Sequence, residues 1–231
     1  MSTNKNIAII PARGGSKRIP HKNIKLFSGK PIIAYSIEAA TQSGLFTEVM
    51  VSTDNNEIAE IAKKFGANVP FFRSPQTAND YANIGEVVEE VLLNYQNQGK
   101  IFDNVCCLLA TAPFIKPERL IEAYQLMKEK GYDSIFPIVR FSYPIQRALR
   151  LNNGSVSMFQ PENFAKRSQD LEPAYHDSGQ FYWMKVEAFM KQKRFFAQNS
   201  GAIILPETEV QDIDTEEDWK LAELKFKMQH E

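Results

Sequence analysis

Along this chain, short apolar runs of strand length alternate with stretches whose apolar positions recur at helical spacing. Residues 7–10 are an unbroken apolar run too short for a helix, and they read as a buried strand. Across 31–41, Ile33, Ile37 and Ala40 share a helical face that opens on a proline and stops near Gly44. A short strand follows at 47–54. Ile58, Ile61, Ala62 and Phe65 then form a second helical stripe closed by Gly66, with Asp54 and Glu57 expected as its capping box. The alternation continues with a strand at 67–72, a helix at 84–95, a strand at 103–110, a helix at 117–130 and a strand at 133–139. Strands this apolar, separated by helices, predict an α/β fold with a mostly parallel sheet covered on both faces, its ligands gathered at the carboxyl ends of the strands.

From 140 to about 175 the texture changes. Three prolines, an Asn152-Asn153-Gly154 turn and no sustained helical stripe predict hairpins and loops inserted before the sheet resumes at 179–185. No internal repeat or linker divides the chain, so the expectation is a single domain over 1–231 carrying an inserted arm. A length of 231 residues suffices to bury a core for such a domain.

Charge narrows the chemistry. With 27 Lys plus Arg against 28 Asp plus Glu, nothing attracts nucleic acid or an anionic membrane globally, so anion binding must be local. Cys106 and Cys107 are adjacent within a strand, point to opposite faces and cannot readily bridge each other; buried free thiols are expected. No apolar run approaches the roughly 20 residues of a membrane helix, and no signal-peptide pattern opens the chain, so a cytoplasmic location is expected.

The first strand runs directly into Ala12-Arg13-Gly14-Gly15-Ser16-Lys17-Arg18-Ile19-Pro20-His21-Lys22-Asn23. Two glycines let backbone N–H groups approach an anion at the strand end, and Arg13, Lys17 and Lys22 add charge, which makes this segment a candidate polyphosphate cradle. Neither the Walker spacing nor the dinucleotide G-x-G-x-x-G is present. Far downstream, Asp212-Ile213-Asp214 places two carboxylates about 7 Å apart on one side of an extended segment, a donor set suited to Mg²⁺. Thr215 and Asp218 read as the capping box of a following helix. His21 is read as an exposed loop residue and not as a base.

Residues 7–40, together with 51–67, the run from Arg73 to Asp80, 108–114 and 212–219, resemble the CMP-sialic acid synthetase family, cytidylyltransferases that couple CTP to nonulosonic acids and release pyrophosphate. Within it, 108–114, 141–149 and 174–183 are most similar to the pseudaminic acid cytidylyltransferases. The resemblance implies a Rossmann-like nucleotidyltransferase fold, a homodimer built through the 140–175 arm, and Mg²⁺ held by Asp212 and Asp214. It also implies that Arg13, Gly14, Ser16, Lys17 and Lys22 hold the triphosphate of CTP, with Lys22 and Arg13 acting on the reacting phosphate, and that Asn23, Arg73, Ala110, Thr111 and Ala112 hold the nucleoside. A nonulosonic acid carries a carboxylate, for which Arg167 and Gln169 are candidates, Arg147 less so; Ser178 and Tyr182 are candidates for the rest of the sugar. Ser178-Gly179 stands where sialic-acid members show Asn-Gly, and 108–114 lacks their Gln-Pro-Thr-Ser-Pro run. Losing amide donors favours a more apolar deoxy sugar such as pseudaminic acid. CMP-N-acetylneuraminate or CMP-legionaminate synthesis is the alternative within the class, and a catalytically silent nucleotide-binding protein the alternative outside it.

Overall fold

The computed structural model describes residues 4–230. The chain opens on β1 (Asn6–Pro11), crosses the basic loop into a ribbon of β2 (Leu26–Phe27) and β3 (Lys30–Pro31), and enters α1 (Ile32–Gln42), β4 (Glu48–Ser52) and α2 (Asn56–Lys64). A short α3 (Pro75–Ala78) precedes α4 (Ile84–Asn97), β5 (Asn104–Leu108), α5 (Pro117–Lys130) and β6 (Ser134–Arg140). After the hairpin of β7 (Leu149–Asn152) and β8 (Ser155–Met158) come β9 (Tyr175–Asp177), β10 (Phe181–Lys185), α6 (Val186–Gln192), β11 (Ser200–Leu205) and α7 (Glu216–His230).

The main sheet has the order β11-β6-β10-β5-β1-β4, with β9 pairing the far end of β6. β4, β1, β5, β6 and β11 run one way; β9 and β10 run the other. The mostly parallel sheet is thus as expected, with the strand at 179–185 antiparallel inside it. Strand alternation divides the core. Ala8, Ile10, Cys106 and Leu108 pack with Ile33, Ile37, Ile58 and Leu120 on one face, while Ile7, Ile9, Val105 and Cys107 pack with Val88, Val91 and Phe189 on the other. The two cysteines therefore lie on opposite faces, and burial pushes the pKa of both thiols up. Among the described residues, no helix is long and apolar enough to cross a membrane.

A third apolar cluster lies off the sheet and matters most for the site. Ile19 and Phe27 from the basic loop and its ribbon, Ile32 and Phe114, and Ile213, Trp219 and Ala222 from the C-terminal segment are all buried against one another. Phe27 meets Tyr35 and Trp219 edge-on at 5.7 and 5.6 Å. Burying side chains of this size is worth about 1.5–3 kcal/mol each.

Three local expectations change. α2 is capped by Asn55, whose side chain accepts from the Ile58 N–H at 3.0 Å, and not by Asp54. Residues 67–72 form no strand; a single bridge from Met50 to Asn68 is all that pairs there, because Pro70 removes a ladder donor. The sheet also gains β11, which ran unrecognised as a short apolar run after Asn199. The inserted arm holds the expected hairpin, turned at Asn153 and Gly154 with φ of 49° and 83°; its strands are exposed.

The expected box at α7 is present. Thr215 Oγ1 accepts from the Asp218 N–H at 3.2 Å, and the Asp218 carboxylate accepts from the Thr215 N–H at 2.7 Å and the Asp214 N–H at 3.1 Å. These bonds, chiefly those from Thr215, hold the Asp218 carboxyl below the usual carboxylate range. A depressed folded pKa gives stability that is present above the unfolded value and lost as pH falls through the folded one. Asp218→Asn is therefore expected to lower Tm at neutral pH, and the gap from wild type should close on acidification below the ordinary carboxylate range; a gap that is constant with pH would remove the cap from the account. Ile213→Ala should cost about 2–5 kcal/mol in urea unfolding, and a loss under about 1 kcal/mol would show that the third cluster does not anchor this segment.

Candidate active site

A cleft of about 290 Å³ opens at the carboxyl ends of β1 and β4, floored by Pro11 and Leu109 and walled by the basic loop on one side and residues 73–87 on the other. β1 delivers the loop there. The Ala12 N–H extends the β1–β4 ladder to the Ser52 carbonyl at 2.9 Å, and Asn23 Nδ2 donates back to the Arg13 carbonyl at 2.9 Å, folding the loop on itself. The Gly14 N–H donates to Asp54 Oδ1 at 2.8 Å, so Asp54 clamps the loop instead of capping α2. Neither Gly14 nor Gly15 is among the glycines with positive φ. Gly14 is instead a matter of space, since a Cβ there would lie 3.0 Å from the Asn55 amide nitrogen.

Arg13, Ser16, Lys17, Arg18, Lys22 and Asn23 all line the cleft. Lys22 is the most enclosed of the loop cations, its side chain 15% exposed. From the other end of the chain, Ile213 is buried in the third apolar cluster, while Asp212 and Asp214 on either side of it are not buried. Asp214 Oδ1 lies 3.4 Å from Lys22 Nζ and 2.8 Å from an Arg18 guanidinium nitrogen. The cationic loop and the acidic pair thus meet. Partial burial and then the neighbouring Asp214 charge raise the Asp212 pKa; two close carboxylates with one destabilised as an anion suit a hard dication.

Arg73 is buried at the end of β4, its guanidinium donating to the Ser52 carbonyl at 2.7 Å and the Ser52 hydroxyl at 3.2 Å, and burial lowers its pKa. It lines the cleft with Thr111; Ala110 and Ala112 are buried in the core cluster behind. The acceptor candidates divide. Tyr182 is buried and donates to Asp177 Oδ2, and Ser178 is buried with no protein partner for its hydroxyl. Arg167 forms a two-point ion pair with Asp170 at 2.7 and 3.1 Å, and Gln169 lines a separate hollow within the arm. None of Ser178, Tyr182, Arg167 and Gln169 lines the cleft, and Arg147 sits near Ser168 on the arm. His21 is exposed.

Sequence reading missed Arg18, Asp54, Asp80 and Asp177. Arg18 lay in the loop already singled out. The carboxylates lay in stretches already quoted, but their roles did not show there, because each acts through a partner that only the fold supplies: Asp54 on Gly14, Asp80 on Arg13 and Lys17, Asp177 on Tyr182.

Comparison with known proteins agrees with this geometry. The model of the family described as Cytidylyltransferase matches residues 7–226. The pseudaminic acid cytidylyltransferase of Campylobacter jejuni is 46% identical over 98% of both chains, and the CMP-N,N'-diacetyllegionaminic acid synthase of Legionella pneumophila is 36% identical over 97% of both. Among solved structures, CMP:2-keto-3-deoxy-manno-octonic acid synthetase complexed with CTP has the same fold, with a TM-score of 0.69 at 18% identity over 98% of this chain and 99% of that one. A nearly full-length family match and relatives at these identities, joined to a cationic loop whose Arg18 and Lys22 meet Asp214, place this chain in the cytidylyltransferase family.

Proposed function

We propose that the chain activates pseudaminic acid with CTP, giving CMP-pseudaminic acid and pyrophosphate. The observation that carries this reading is the 3.4 Å approach of Lys22 to Asp214, which brings a carboxylate from the far end of the chain to a cation of the cleft-lining loop. The 46% identity to pseudaminic acid cytidylyltransferases supports the sugar.

In this mechanism the anomeric hydroxyl oxygen attacks the α-phosphorus of CTP in line, the bond from that phosphorus to the bridging oxygen breaks, pyrophosphate leaves and the hydroxyl proton passes to solvent. Catalysis is chiefly positioning and charge. Arg13, Ser16 and Lys17 hold the outgoing phosphates, and Lys22, fixed by burial of its stem, meets the charge that develops at the α-phosphate. Arg73, Asn23 and the backbone of 110–112 orient the nucleoside. Asp212 and Asp214 would hold Mg²⁺, which supplies charge neutralisation between nucleotide and acceptor. Both are hard oxygen donors of the kind this ion takes.

Two further parts of the proposal concern the arm and the compartment. Leu149 faces Met158 and Leu151 faces Val156 across the hairpin, and Leu149, Leu151 and Val156 are exposed. An apolar ribbon of this kind suits a two-fold dimer, in which Arg167 and Gln169 would serve the acceptor carboxylate of the second copy's site. The reaction is assigned to the cytoplasm.

With CTP, Mg²⁺ and a panel of pseudaminic, legionaminic and N-acetylneuraminic acids, pyrophosphate release is expected with the highest kcat/KM for pseudaminic acid. A preference for another acid moves the assignment within the class, and CTP binding with no release from any acid favours the silent binder. Lys22→Met and Asp214→Asn should each lower kcat by about 10²–10³-fold, and near-wild-type turnover in either would remove that residue from the chemistry. Light scattering should give a dimer for the wild type and a monomer for Leu151→Arg; a wild type that is monomeric at all concentrations removes the shared site.

A further inference from the structure

Asp80 ends the run that begins at Arg73, and the mechanism above gives it no task. In the structure its carboxylate binds two cations of the cradle at once: Arg13 Nη1 on Oδ1 at 2.6 Å and Lys17 Nζ on Oδ2. Arg13 Nη1 also lies 3.4 Å from the Asn79 carbonyl. Asp80 lines the same cleft as both cations, so its oxygens stand among groups that a polyphosphate would also claim.

The segment around it is built to present that carboxylate. On the near side, Glu90 of α4 accepts from the Ser74 N–H at 2.8 Å and from the Thr77 hydroxyl, fixing α3 to α4. On the far side, Asn83 and Glu86 form a reciprocal capping box that fixes the start of α4. Between these anchors, Asn79 Oδ1 accepts from the N–H groups of Tyr81 and Ala82 at 2.7 and 2.9 Å, holding the tip as one turn. That tip is packed against little: Tyr81 is 96% exposed. Its contacts with the loop are those of Asp80 and the Asn79 carbonyl with Arg13 and Lys17, so the carboxylate can leave the two cations without unfolding either anchor.

We infer that Asp80 is an internal counter-anion that competes with polyphosphate for Arg13 and Lys17. It acts through those two residues, as a positioning residue for the reaction proposed above, on which this inference rests. CTP binding is then an exchange of one carboxylate for phosphate oxygens, and release of pyrophosphate is the reverse exchange. The competition weakens both polyphosphates equally and leaves the sugar site alone.

The discriminating experiment is calorimetric titration of CTP and, separately, of inorganic pyrophosphate into wild type, Asp80→Asn and Asp80→Glu. Two partly exposed ion pairs predict about 2- to 10-fold tighter binding of both ligands by Asp80→Asn, with Asp80→Glu near wild type. In turnover, KM for CTP and the inhibition constant for pyrophosphate should fall together in Asp80→Asn while KM for the sugar acid stays constant. Weaker CTP binding by Asp80→Asn would show that Asp80 preorganises the cations, and unchanged binding that it does not engage them; either result overturns the inference while leaving the enzyme assignment standing. A wild type that binds no CTP overturns the assignment and the inference together. Melting curves of Asp80→Asn and of Tyr81→Ala, which alters the same turn but keeps the carboxylate, separate charge from folding: tightening in Tyr81→Ala equal to that in Asp80→Asn would overturn the counter-anion role.

Discussion

The site depends on an apolar contact more than on any charge. Lys22 and Asp214 are 192 residues apart in the chain and must lie within a few ångströms of each other. Their mutual attraction cannot enforce this, since partly exposed ion pairs contribute about 0–1 kcal/mol. Ile19, three residues before Lys22, and Ile213, one residue before Asp214, are instead buried in the same cluster with Phe27, Trp219 and Ala222. Hydrophobic burial fixes the two segments side by side, and the charged groups ride on it. An isoleucine between two aspartates is the local form of the same device, because anchoring the middle residue of an extended triplet turns both flanking carboxylates away from the apolar cluster.

The basic loop is fixed by neighbours in a similar division of labour. Ser52 accepts from Ala12, Asp54 takes the Gly14 N–H, Asn55 fills the space behind Gly14, and Asn23 closes the loop on the Arg13 carbonyl. All but Asn23 come from the end of β4 and the start of α2. A parallel sheet gathers such strand ends at one edge, so the loop after β1 is held by the loop after β4. Asn55 takes over the α2 cap, which frees the Asp54 carboxylate for the clamp.

Sequence was informative where one stretch determines its own environment. The strand of residues 7–10, α5 with Pro117 at its start and Gly131 at its end, the Asn153-Gly154 hairpin and the Thr215–Asp218 box each carry their pattern, their terminator or both in a few neighbouring residues. It was uninformative where a partner elsewhere decides. β10 reads like its neighbours, and its reversed direction comes from the chain turning back along β6 after the arm, through β9 and then β10, both antiparallel to β6. Asp54 looked like a cap because it precedes a helix, and only the fold brings Gly14 to it. Arg73 was legible as a cation, but not its anchoring to Ser52. Arg167 and Gln169 sit on the arm, where Arg167 pairs with Asp170 and Gln169 lines a hollow apart from the cleft.

The cations of the cradle are divided between two acids that differ in character. Asp80 pairs with Lys17 and Arg13, and those bonds, first from Lys17 and then from Arg13, hold it below the usual carboxylate range. Asp214 engages Lys22 and Arg18, but Asp212 beside it is raised by burial and by that same Asp214 charge. A lone anion among cations is satisfied by them and is displaced only by a stronger anion. A carboxylate pair with one member disfavoured as an anion is left with an attraction that monovalent side chains meet incompletely, and a dication meets it better. On the proposed reading, Arg13 and Lys17 would exchange Asp80 for phosphate oxygens, while Asp214, paired with Lys22 and Arg18, would hold a dication beside the phosphate that Lys22 meets.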